Sequence, residues 1–121
     1  MSTREKVQEW LAISDEDLDV ANLCYKNYKF LHCAFMCQQA VEKILKACIT
    51  ALDEYPDPIH DLYILAQDAE IAELLTVEQK FFLRALTTYA IAARYPERKK
   101  RLFSKCNKEE AKKILVSWRR W

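Results

Sequence analysis

Apolar residues recur along this chain at helical spacing, and no segment alternates in the way that marks a strand. Val7, Leu11, Leu18, Ala21 and Tyr25 share one helical face, interrupted by Ser14. Ser2-x-x-Glu5 ahead of them reads as a capping box, so a first helix is predicted over about residues 3–26. After a short link at 27–29, a second helix is predicted over about 30–53, with Ala34, Val41, Leu45, Cys48 and Leu52 on its apolar face. Two long helices with so short a link should pack antiparallel. Pro56 and Pro58 break the chain and make 54–59 a loop. A third helix is expected from His60-Asp61-Leu62 to about Leu75, with a break near Asp68. Thr76-x-x-Gln79 opens a fourth, running to about Ala93 with Phe82, Leu86, Tyr89 and Ala93 on one face. Arg94-Tyr95-Pro96 ends it, because a residue before proline is pushed out of helical geometry. The basic stretch Arg98-Lys99-Lys100-Arg101 reads as a loop or irregular turn. Asn107-x-x-Glu110 starts a last helix whose apolar side is Ala111, Ile114, Leu115 and Trp118. The pattern predicts an all-α protein: an up-and-down bundle of about five helices with a four-helix-bundle-like core, in one domain over 1–121.

Composition narrows the chemistry. The 121 residues include no glycine, which excludes a P-loop, a dinucleotide fingerprint and a nucleophile elbow. Five cysteines, an odd number with no C-x-x-C pair, read as buried reduced thiols, and neither a metal site nor a cofactor is expected. No hydrophobic run approaches the roughly 20 residues of a membrane span. The opening residues lead into charge rather than an apolar signal, so a cytoplasmic location is expected. Net charge is +1 but polarised. Residues 94–121 carry eleven Lys/Arg against three Asp/Glu, and residues 1–93 carry eight against fifteen. Such a basic tail can bind phosphates or the acidic body of a second subunit.

The second helix contains the least ordinary run, Phe35 to Ala47. On a helical wheel Gln38 lies on the shoulder of the apolar face with Glu42 just beyond it. Gln39, Lys43 and Lys46 point away and are candidates for a partner surface. His60, beside Asp61 at a helix start, suits either a capping or buried structural role or an acid–base role. Arg94 and Tyr95, at a proline corner, can grip a phosphate, or Arg94 can bridge to Glu42. Arg98 and Lys99 are further phosphate candidates, with a solvated basic loop as the alternative. Trp118 is read as core and Trp121 as an exposed partner anchor. No Ser/His/Asp or Cys/His arrangement is present to support hydrolase chemistry.

Taken in order, the run from Phe35 through Gln38-Gln39-Ala40-Val41-Glu42-Lys43 to Ala47, then His60-Asp61-Leu62, then Arg94-Tyr95-Pro96 resembles the HEPN domain family. Trp10-Leu11, Asp17-Leu18 and Ala21 add to the resemblance, which covers about residues 5–118. It implies a helical bundle that commonly forms a homodimer, binds a nucleotide, and is often encoded beside a minimal nucleotidyltransferase in a toxin–antitoxin-like pair. It also implies an alternative, a metal-independent ribonuclease toxin that would act on RNA. Members of that kind carry an arginine followed after four to six residues by a histidine. Arg94 matches the arginine, but Lys99, Lys100 and Arg101 stand where the histidine would fall. The expectation is therefore a non-catalytic nucleotide- or partner-binding module. A purely structural dimeric protein is the third reading.

Overall fold

The computed structural model describes residues 1–92 and 95–119. They form α1 (Thr3–Lys26), α2 (Phe30–Ala51), α3 (Leu62–Asp68), a 3-10 turn (Ala72–Leu74), α4 (Val77–Ala92), α5 (Pro96–Lys105) and α6 (Lys108–Arg119). Among the described residues there is no strand, and the fold is an all-α bundle. None of these helices is long and apolar enough to cross a membrane.

The local signals act where the sequence puts them. The Ser2 hydroxyl accepts from the Glu5 amide at 3.1 Å and opens α1. Thr76 and Gln79 cap one another reciprocally, at 3.1 and 2.9 Å, and open α4. The Asn107 side chain accepts from the Glu110 amide at 2.9 Å and opens α6. Such caps satisfy amides that would otherwise be orphaned in the first turn.

Helix ends show something the composition concealed. Tyr28, Asp53 and Glu70 follow α1, α2 and α3 in left-handed geometry, with φ of 61°, 60° and 61°. Each sits inside the paired backbone bonds of a Schellman closure, Lys29 to Cys24 and Tyr28 to Tyr25 in the first case. That position normally takes glycine, and this chain has none. The left-handed residue at Glu70 also ends α3 early, so the long third helix divides into α3 and the 3-10 turn.

α2 is the spine. α1 packs along it antiparallel, and α3, α4 and α6 cover its other sides. Cys33, Ala34, Cys37, Val41, Leu45 and Ile49 are its core residues. Ser14, the polar break in the α1 face, is buried and donates to the Ala40 carbonyl at 2.7 Å. A small side chain there lets the two helices approach closely. Ala111, Ile114 and Leu115 of α6 close the core, with Trp118 packed against it. Leu11 and Leu52, expected on core faces, are instead 42% and 43% exposed.

The basic stretch 98–101 corrects the sequence reading. It is helical, inside α5. Pro96 fixes a backbone angle suited to the first helical position, where its missing amide costs nothing. Lys and Arg are good helix formers behind it. The bundle therefore has six α-helices among the described residues, one more than the pattern suggested.

Candidate functional site

Three of the residues singled out by sequence meet in the middle of α2. Glu42 is 2% exposed and Gln38 is fully buried. Glu42 Oε1 lies 2.8 Å from His60 Nδ1 and accepts from Gln38 Nε2 at 3.2 Å, while Oε2 accepts from Lys46 Nζ at 3.2 Å. An ionised carboxylate only accepts, so His60 presents a protonated Nδ1 to it. Gln38 Nε2 also donates to the His60 backbone carbonyl at 3.1 Å. One amide and one carboxylate thus hold both the backbone and the ring of His60. They pin the α2–α3 loop to the spine two residues before Leu62, whose amide donates to Thr87 Oγ1 of α4 at 3.1 Å.

Burial alone would push the Glu42 carboxyl up. His60, Lys46 and Gln38 outweigh that and hold it below its ordinary value. Its oxygens have internal donors, and the exposed edge of the cluster is the His60 ring, whose side chain is 36% exposed.

The expected outward face of α2 does not exist. Lys46 is only 7% exposed, and its ammonium lies 5.8 Å from the centre of the Trp10 ring of α1. Lys43 donates to Gln39 Oε1 at 2.9 Å and lies 3.8 Å from Asp17 of α1. Gln39 in turn donates to Gln38 Oε1 at 2.9 Å. Gln39, Lys43 and Lys46 are therefore not an open partner surface. They line the seam with α1, which a wheel drawn for one helix cannot show. Burial pushes the Asp17 carboxyl up, against the pull of Lys43.

The other candidates lie on α5. Tyr95 precedes the helix and is exposed, with the Arg98 guanidinium 5.8 Å from its ring centre. Lys99, Lys100 and Arg101 are exposed, and α5 has no buried residue. Sequence reasoning singled out the cluster Arg98–Arg101 but read it as a loop, and missed that one helix presents these four cations together with Lys105. Arg94 and Trp121 lie outside the described residues.

Three of the five thiols, Cys33, Cys37 and Cys106, are buried, Cys24 and Cys48 are half-buried, and Cys106 donates to the Phe30 carbonyl at 3.4 Å. Among the described residues no group of histidines, cysteines and carboxylates could hold a metal ion.

Fold and cluster together define a class: an all-helical bundle domain whose buried central helix clamps a following loop through a Gln–Glu–His network. The model of the HEPN domain matches residues 7–120, nearly the whole chain. The chain belongs to the HEPN domain family. Neither a curated protein nor a solved structure matches it.

Proposed function

We propose that this HEPN domain is a non-catalytic binding module. It takes the phosphates of a nucleotide or short RNA on α5, pairs with a second copy of itself, and works beside a minimal nucleotidyltransferase in a toxin–antitoxin-like pair.

The observation that carries the reading is α5 itself. Five of its ten residues are Lys or Arg, one is acidic, and none is buried. A protein gains little stability from such a helix, so its charge is free for an anion. Tyr95 with Arg98 beside it offers a flat ring next to a guanidinium, the combination that suits a base and its phosphate. The non-catalytic part is supported by the lack of any histidine after His60 and by the engagement of His60 Nδ1 with Glu42. The nucleotidyltransferase and the toxin–antitoxin setting rest on family resemblance.

Anisotropy of a short labelled single-stranded RNA, competed with ATP, tests the binding. Arg98→Glu with Lys99→Glu should weaken it by about tenfold or more, and binding should fall steeply with salt. Co-purification with the product of the neighbouring reading frame tests the partner. If the folded wild-type chain binds neither RNA nor ATP at low salt, the reading fails.

A further inference from the structure

The turn that follows α2 stands as a wall between two clefts. The first, about 370 Å3, lies against the start of α1, with Trp10, Ile13, Tyr55 and Pro56 among its lining residues. The second, about 540 Å3, lies toward the end of α3. Glu54, Tyr55 and Pro56 line both. Pro56 is buried and anchors the wall, and the Thr3 hydroxyl ties its start to α1 by donating to Asp53 Oδ1 at 2.6 Å. Tyr55 is 90% exposed, so its ring adds almost nothing to the core by burial.

Charge says what the clefts suit. The first has Glu9, Asp53 and Glu54 against Lys6, and the second has Glu54, Asp57, Asp68 and Glu70 with no cation. Among the described residues none of these six carboxylates is in an ion pair. Carboxylates alone attract any counterion, but the ring and proline walls discriminate. A hydrated metal ion gains nothing from them, whereas an alkylammonium gains cation–π contact and packing of its methylenes. Trp10 already meets one such group, the Lys46 ammonium, 5.8 Å from its ring centre. The shared wall then sets the form of the ligand. Carboxylates lie on both sides of Tyr55, so a cation with one head serves one cleft only. Two heads joined by a short methylene chain serve both, with the chain across Tyr55, and the second head binds at high effective concentration.

We infer that the two clefts form a binding site for a linear aliphatic polyamine, with ammonium groups on both sides of the Tyr55 ring. The site is separate from α5 and does not rest on the function proposed for that helix.

Titration calorimetry with putrescine and spermidine tests it, at about 100 mM salt, where exposed charges more than about 10 Å apart are screened. Both should bind the wild-type chain saturably. Butylamine, with one head, should bind about tenfold more weakly than putrescine or worse. Tyr55→Ala keeps every charge and removes the ring, and should weaken spermidine about threefold or more. Glu54→Gln with Asp57→Asn keeps the ring and should weaken it about tenfold or more. All three positions are exposed, and circular dichroism checks that helicity is kept. Magnesium chloride at the same concentration should leave spermidine bound. No saturable binding to wild type would overturn the site. So would spermidine that is indifferent to Tyr55→Ala or displaced by magnesium, since a diffuse counterion cloud behaves in that way. A capped Lys-Ala-Lys peptide that bound more tightly than putrescine, at equal charge, would overturn the polyamine and give the clefts to a basic chain.

Discussion

In the middle of α2, a carboxylate that is 2% exposed is met by His60, Lys46 and Gln38; on α5, five cations share ten residues with one glutamate and no buried side chain. The first region spends its polar groups on one another. The second leaves them to solvent. The difference teaches where recognition and construction part company. Gln38, Glu42 and His60, which carried the resemblance in the sequence, build the frame that holds the α2–α3 loop. Residues with no distinctive pattern beyond their charge are the ones a ligand can reach.

The largest effect should come from removing the acceptor at the centre of the frame. Glu42→Ala leaves a buried ammonium on Lys46 and strands the donors of Gln38 and His60. A loss of about 3–5 kcal/mol in denaturant unfolding is expected, since one partner of a buried pair is removed. Acid should act on the same point. The folded pKa of Glu42 lies below its ordinary value of 4.5, so the unfolded chain takes up its proton first as pH falls. The stability it contributes is present above about pH 4.5 and is lost as pH falls through the lower folded value. Glu42→Gln should start less stable and show a shallower loss over that acid range.

His60→Ala should cost less, about 1–2 kcal/mol, because His60 is one of three donors and is partly exposed. Similar in size but opposite in kind, Arg98→Glu with Lys99→Glu should change unfolding stability by no more than about 0.5 kcal/mol. It should still cost about 1.4 kcal/mol or more in RNA affinity, the equivalent of about tenfold. If it unfolded the protein instead, α5 would belong to the frame and the contrast would collapse.

The smallest effect should be a gain. Glu70→Gly relieves a left-handed residue that ends α3, and is expected to add about 0.5–1 kcal/mol of stability. A neutral or negative result would mean that the Glu70 side chain contributes to the fold what its backbone costs.

Much of this was legible from local pattern. The capping residues Ser2, Thr76 and Asn107 placed three helix starts within a residue or two, and the apolar spacing gave an all-α bundle. The Gln38–Glu42 shoulder pointed to the buried cluster. Three things escaped for physical reasons. Lys46 and Lys43 looked outward because helical periodicity describes one helix, and α1 lies over the side it assigns to solvent. α5 looked like a loop because it has no apolar stripe to bury, though its residues favour helix and proline suits its first turn. The left-handed closures at Tyr28, Asp53 and Glu70 were invisible because their usual marker is glycine.

The most direct test of the central claim compares RNA binding by three chains under conditions where all are fully folded: wild type, His60→Ala, and Arg98→Glu with Lys99→Glu. The account predicts that His60→Ala binds within about twofold of wild type, while the α5 variant loses about tenfold or more. The opposite pattern, with binding lost on changing His60 and kept on reversing α5, would contradict it.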